Sequence, residues 1–439
     1  MSPDKPDAPH GPNASPPPPE ETPSLGILQR IEQEALADGR EWTRLRLQER
    51  LQAEDDQFGP VSPHSGLKLK RAQRIPLRLR TVCGPVDLRV WYGHCGQSGR
   101  SLSPARVRWQ LAAHQQLSPE LEQRLCYTAT ETGSFEKAAR MAGTWGCAIS
   151  DDAIHACVGR KGRQAQAHPL TEARPRPPQP FTLMIMMDGW LARHRYHQWG
   201  LKPPGKKAER IHWYEIKSAV IFRLADRGAT SSGRRFLIHK QVVATPADTE
   251  PTDFAQAVYR EALRMGLATA EKVYVVQDGA VYLWNIFEER FAHTAQGVLD
   301  FYHASDHLWA LAHELFGDGS AEAHRWASRL MHQLRHGKEE RVVKTLESLM
   351  NAPPPQHTHA TPKISTTAQY FLDHQDHIHY AALADQGIPI GSGAMESQCG
   401  QLQDRFKRRG QFWIKPGFAC LLAIALRSQN GELQSLWAA

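Results

Sequence analysis

The sequence has no Cys-x-x-Cys pair, no long apolar run and no apolar segment at its start. Each absence excludes something. Seven cysteines, odd in number and scattered, do not make a disulfide framework, so a reducing compartment, the cytoplasm, is expected. A membrane-spanning helix needs about 20 consecutive apolar residues, and without one no membrane partner is expected. The 22 histidines are spread out and form no evident ligand set. Acidic residues are missing where basic ones gather: between Leu67 and Gln110, Asp87 stands alone against ten Lys and Arg. That stretch exceeds the net +7 of the whole chain, and a concentrated positive stretch attracts a polyanion. Arg74, Arg78 and Arg80 are its candidate DNA-binding residues.

What is present is a chain of 439 residues with 41% hydrophobic composition, enough for two or three domains and a sizeable core. Residues 1–23 are Pro-rich and polar, and read as a disordered tail. Residues 24–66 carry Leu25, Leu28, Ile31, Ala35, Trp42, Leu45 and Leu51 at helical spacing, which predicts one or two amphipathic helices. In 67–166, IPLRLRTVCGPVDLRVWY alternates apolar and basic residues around Gly84-Pro85, a basic β-hairpin pattern. The following loop, YGHCGQSGRS, is half of a zinc knuckle: Ser98 stands where a second Cys is needed, and one thiolate cannot close a tetrahedral site. Ser134 and Ser150 then read as N-caps of two short helices around a Gly-containing turn. That arrangement suits a helix-turn-helix, with Arg160 and Lys161 as phosphate contacts. Residues 167–180 form a Pro-rich linker.

After the linker, FTLMIMMDGW is a short apolar run ending in Asp188, a buried-strand pattern. A basic loop follows, with Arg193, Arg195, Lys206 and Lys207 placed to hold DNA. HWYEIKSAVIFRLA and RRFLIHKQVVAT predict two more strands joined by the turn-rich DRGATSSG. A helix, TDFAQAVYREALRMGL, precedes KVYVVQDGA, a second strand ending in Asp-Gly, at Asp278. A helix (YLWNIFEERF) and a last strand (GVLDFYH) complete the order β-β-β-α-β-α-β. The fold class expected is α/β: an RNase H-like mixed five-stranded sheet with a helical insertion, beside a mainly helical basic N-terminal DNA-binding region. Core segments are expected at 181–304 and 386–439, flanking an insertion at 305–385. In such a sheet the two central strands are neighbours, so both carboxylates leave one edge, and each following Gly is expected to let the backbone turn sharply.

Phosphoryl transfer explains why carboxylates matter there. Two Mg²⁺ ions about 3.5–4 Å apart can activate an attacking oxygen and stabilise a leaving one. Mg²⁺ prefers hard oxygen ligands and keeps several waters, so two or three carboxylates suffice, and Mn²⁺ can substitute. The third acid is expected from a C-terminal helix. Glu396 in IPIGSGAMESQCGQLQDRFKRRG meets this, one turn after Ser392, with Lys407 about three turns further on the same face.

The blocks MMDGW, VQDGAVYLWN, LDFYHASDHLW and IPIGSGAMESQCGQLQDRFKRRGQFW resemble, in order and wording, those of insertion-sequence transposases of the Kra type. These belong to the wider DDE superfamily, near the Mutator-like group. The resemblance spans about residues 75–437 and departs from the family at Ser98. It implies metal ligation and catalysis by Asp188, Asp278 and Glu396, with His303, in the Asp-Phe-Tyr-His element, near the scissile phosphate. It also implies cleavage and strand transfer of double-stranded DNA at terminal inverted repeats, by a homodimer on paired ends. A transposase-derived DNA-binding protein without cleavage activity is the alternative.

Overall fold

The computed structural model describes residues 26–195, 211–233 and 235–438 and falls into two compact units, Met1–Ser118 and Pro119–Ala439. The first unit contains α1 (Ile27–Phe58), β1 (Lys70–Thr81), β2 (Gly84–Cys95), β3 (Arg100–Leu102) and α2 (Pro104–Arg108). The apolar spacing of 24–66 yields one continuous helix. Ile27, Leu28, Ile31 and Trp42 on its first half are exposed, while Leu47 and Leu51 pack on the hairpin. In β1, Leu77, Leu79 and Thr81 point inward while Arg78 and Arg80 stay exposed, the two-residue period of a sheet with one wet face. Val86, Leu88 and Val90 of β2 complete that apolar cluster with Ala105 and Leu111. Thr81 faces Gly84, so the chain reverses at Val82-Cys83 and not at the expected Gly84-Pro85. Gly84, at φ 113°, opens β2 in a conformation an L side chain resists. In the expected half-knuckle, the Cys95 thiol lies 3.7 Å from Ser62 Oγ and 3.8 Å from Ser65 Oγ, with the Ser98 hydroxyl also hydrogen-bonded to it. One thiol among three hydroxyls is not a zinc donor set.

The second unit opens with α3 (Pro119–Glu131), α4 (Phe135–Thr144) and α5 (Asp151–Ala167). Ser134 and Ser150 cap α4 and α5, accepting from Lys137 N at 3.1 Å and Ala153 N at 3.3 Å. There follow β4 (Thr182–His194), β5 (His212–Arg223), β6 (Arg227–Ala229), β7 (Arg235–Leu237), β8 (Gln241–Ala244), α6 (Pro251–Met265), β9 (Lys272–Gln277), α7 (Val281–Arg290) and β10 (Gln296–Leu299). Helices α8 (Phe301–Phe316), α9 (Ala321–Arg335), α10 (Glu339–Asn351), α11 (Thr361–Asp373) and α12 (Tyr380–Asp385) precede α13 (Gly393–Phe406) and α14 (Lys415–Gln429).

The main sheet is mixed, in the order β10-β9-β4-β5-β8, with β4, β5 and β8 antiparallel and β4, β9 and β10 parallel. This is consistent with the RNase H-like order expected. Three details differ from expectation. The third strand is only Gln241–Ala244, all buried; Arg235–Leu237 pairs instead with Arg227–Ala229 in a separate two-stranded ribbon, where Phe236 lies against Gly228, about half exposed. The last strand stops at Leu299, since the Asp300 side chain caps α8. The Pro-rich segment 167–180 is not a free connection. Its Arg174 supplies donors that proline lacks, from N–H to Arg264 O at 2.8 Å and from the guanidinium to Asn430 O at 2.8 Å and Glu432 at 2.5 Å. The division between units falls earlier, after Ser118.

Leu183–Met187 of β4 are buried on both faces, and α13 packs on β4 and β5 while α6 packs on β5 and β8. Helix α5 is a core helix. It buries Ile154, Cys157, Val158 and Ala165, and a side chain at Gly162 would overlap Cys420 of α14. Among the described residues no helix is long and apolar enough to cross a membrane.

Candidate active site at the edge of the mixed sheet

The parallel pairing of β4 and β9 sets Met187 opposite Gln277, so the next residues, Asp188 and Asp278, leave the same sheet edge side by side. From there the chains diverge. β4 runs on for six more residues to His194, paired throughout with β5. Asp188 therefore sits inside a strand, not at its end as expected. β9 does stop, and α7 begins three residues after Asp278, whose Oδ1 accepts from Ala280 N at 2.9 Å.

Neither following glycine is there to turn the chain. A side chain on Gly189 would overlap the Glu215 carboxylate, which crosses from β5 to accept from the Tyr282 hydroxyl at 3.0 Å. A side chain on Gly279 would overlap the ring of Tyr370, on α11, which stacks on His307 of α8 at 3.9 Å. Both glycines leave room for a neighbour, a close-approach role rather than a conformational one.

Asp300 links the remaining parts. It is fully buried, and its N–H donates to Gln277 O at 2.8 Å, beside Asp278. One carboxylate oxygen accepts from Tyr302 N at 2.6 Å and His303 N at 3.1 Å, capping α8. The other accepts from Ser392 N, at the start of α13, and Phe301 N donates to Ile390 O at 2.9 Å. That clamp positions the first turn of α13, where Glu396 stands exposed. His303 lies half-buried in the first turn of α8.

The electrostatics tie the acids together. Burial raises the Asp188 carboxyl to about 6, helped by the negative charges of Asp278 and Glu396 and opposed by the Gly189 N–H and by His303. Asp188 Oδ1 accepts from Gly189 N at 2.6 Å, and its Oδ2 lies 3.9 Å from Cys399 Sγ, one turn after Glu396. Burial, with Asp188 and Glu396, pushes the Cys399 thiol up to about 12, so it stays protonated and donates. Burial and the carboxylates Glu215, Asp278 and Asp188 likewise raise the Tyr282 phenol.

Among the described residues no three His, Cys, Asp or Glu side chains form a group that could hold one metal ion. A closed three-ligand cage is thus not built. The region offers instead hard-oxygen carboxylates from separate segments, Asp188 beside Asp278, with the charge of Glu396 acting on Asp188. That fits water-rich Mg²⁺, which needs only one or two carboxylates per ion.

The expected DNA contacts differ in how far their own fold engages them. Several are already engaged. Arg74 binds Asp55 and Asp56 and lies over Trp91. Arg160 pairs with buried Glu122, and Lys161 donates to Leu436 O at 2.9 Å and lies over Trp437. Arg193 donates to Arg408 O and lies near the Trp213 and Phe412 rings, whereas at Arg195 it is the backbone N–H that donates, to Trp413 O at 2.8 Å. Lys407 caps the C-terminal end of α13 and lies over Trp213. Arg78 and Arg80 are exposed, Arg78 with a loose 3.6 Å pairing to exposed Asp87. Lys206 and Lys207 lie outside the described residues.

Sequence reasoning missed Glu215, Tyr282, Tyr370 and Cys399, and saw Asp300 only as part of a motif. Their contacts join segments far apart in the chain, and no local pattern marks them. No protein-family model matches this chain, and no curated protein does. Among solved structures it is similar to the Drosophila P element transposase strand transfer complex, at 10% identity over 76% of this chain and 83% of that one, with a TM-score of 0.27.

Proposed function

We propose that this protein is a DNA transposase of the DDE type, resembling the Kra insertion-sequence enzymes. It binds double-stranded DNA at terminal inverted repeats, as a homodimer on paired ends, and cleaves and transfers a strand. The observation that carries this reading is that Asp188 and Asp278 leave one sheet edge side by side, and that burial together with the charges of Asp278 and Glu396 raises the Asp188 carboxyl. Carboxylates crowded at a polar edge favour a cation, and clusters of perturbed acids mark functional sites.

Asp188, Asp278 and Glu396 would hold two Mg²⁺ ions, or Mn²⁺ in their place, which supply activation of the attacking oxygen and stabilisation of the leaving one. The protein's own part is orientation. Gly189 N–H and the Cys399 thiol each donate to one oxygen of Asp188. Ala280 N–H fixes Asp278, and Asp300 fixes the helix start that carries Glu396. His303, held by the same Asp300 cap, would hydrogen-bond the scissile phosphate. Exposed Arg78 and Arg80 of the hairpin would contact backbone phosphates of the element end.

The test is strand cleavage of a labelled duplex carrying the element end, with Mg²⁺ or Mn²⁺. Wild type should nick at the element boundary, whereas Asp188→Asn, Asp278→Asn and Glu396→Gln should bind and not cut. Binding by wild type without cleavage under either metal would replace this reading with a transposase-derived DNA-binding protein.

A further inference from the structure

A cleft of about 830 Å³ opens between the β6–β7 ribbon and the segment leading into α13. Its volume lies within the range of small-ligand sites, about 300–1,000 Å³. Arg227, Arg235 and Lys240 line it, and no carboxylate does among the described residues. None of these three cations forms an ion pair among the described residues. Lys240 donates to Gln398 Oε1 at 2.6 Å, and Arg227 reaches Gly387 O at 3.5 Å, both neutral acceptors. Half-buried cations without a counter-charge are costly, and burial lowers the pKa of both Lys240 and Arg227. Such a cleft favours an anion.

Two aromatic rings add a second preference. Phe236 and Tyr302 both line the cleft and are about half exposed. Each lies flush against a glycine: an added Cβ would stand 2.5 Å from Phe236 at Gly228 and 2.6 Å from Tyr302 at Gly391. The two glycines therefore make room for the rings, which stay about half exposed in the cleft wall. Cations beside aromatic faces are the recurring means of holding unstacked nucleotides. The position also suits a DNA strand. Gly393, Ala394 and Ser397 of α13 form part of the wall, around the turn that carries Glu396, and Tyr302 precedes His303.

We propose that this cleft takes one unpaired nucleotide of the DNA strand, its phosphate on Arg227, Arg235 and Lys240 and its base against Phe236 and Tyr302. The location of that nucleotide next to the cut rests on the transposase reading; the cleft's preference for it does not. The experiment compares binding of two labelled duplexes by the full chain without divalent cation. One is fully paired, and the other has the same flanks and one unpaired nucleotide. Wild type should bind the second about tenfold more tightly. Phe236→Ala should bring that ratio to about one. Arg235→Gln should weaken binding of the unpaired duplex and reduce its salt slope by about one. Both residues are exposed on the ribbon, and unchanged thermal unfolding would show that the variants fold. A wild-type ratio of one overturns the proposal, as does a ratio that neither variant changes. A ratio of one with cleavage intact removes the cleft alone. A preserved preference in a protein that never cuts removes the enzyme reading alone.

Discussion

At Asp188 the chain stays in β4 and continues beside β5, whereas at Asp278 it leaves β9 and enters α7 within three residues. The two Asp-Gly pairs read alike in sequence, yet different neighbours require their glycines. Gly189 makes room for Glu215 from the adjacent strand, and Gly279 makes room for Tyr370 from a helix nearly a hundred residues on. One pair is held by sheet pairing, the other by helices α8 and α11. The comparison teaches that a repeated dipeptide can mark a shared edge without sharing a cause.

The comparison can be tested from both sides. The largest effect is common to the two aspartates: Asp188→Asn and Asp278→Asn should each lower the cleavage rate at least about 10²–10³-fold, measured in single turnover. Their stabilities should then diverge. Without metal, Asp188→Asn should raise Tm, because it removes a half-buried charge disfavoured by burial and by Asp278 and Glu396. Asp278→Asn serves as the comparison, its side-chain oxygen still able to accept from Ala280 N–H. The glycines separate the regions further. Gly189→Ala and Gly279→Ala should each cost about 1–3 kcal/mol in denaturant unfolding, the usual price of overpacking. Glu215→Ala should rescue the first and Tyr370→Ala the second, with interaction energies of about 0.5–3 kcal/mol; rescue by the wrong partner would break the distinction. Asp300→Ala should cost about 1–3 kcal/mol by leaving buried N–H groups unsatisfied, and should slow cleavage by loosening the start of α13. The smallest effect lies away from both: Ser134→Ala and Ser150→Ala should each cost about 1 kcal/mol.

Much of the second unit was legible because it follows local rules. Apolar runs marked β4 and β9, periodicity marked α6 and α7, and serines marked the starts of α4 and α5. Glu396 was placed in a first turn by the Gly-Ser-Gly before it. Misreadings came where a distant partner decides the outcome. LARH looks like loop after MMDGW, yet it is strand, since β5 supplies its hydrogen bonds. DFYH looks like the continuation of a strand, yet Asp300 satisfies two N–H groups of the next helix. Arg74, Arg160 and Arg193 read as DNA contacts, and no local pattern showed that acids and carbonyls elsewhere in their own unit already engage them.

By itself the sequence determined the kinds and order of most elements and the helix starts at Ser134 and Ser150, whereas several strand ends were set elsewhere. Hydrophobic period, capping residues and glycines act within a few positions, and chain order carries them. Only the tertiary structure decided that Asp188 and Asp278 leave one sheet edge, that Asp300 joins β9 to α13, and that Arg227, Arg235 and Lys240 line a cleft with no carboxylate among the described residues. Those outcomes depend on strand register and on helix packing across long separations, where burial and charge act through space and leave no local trace.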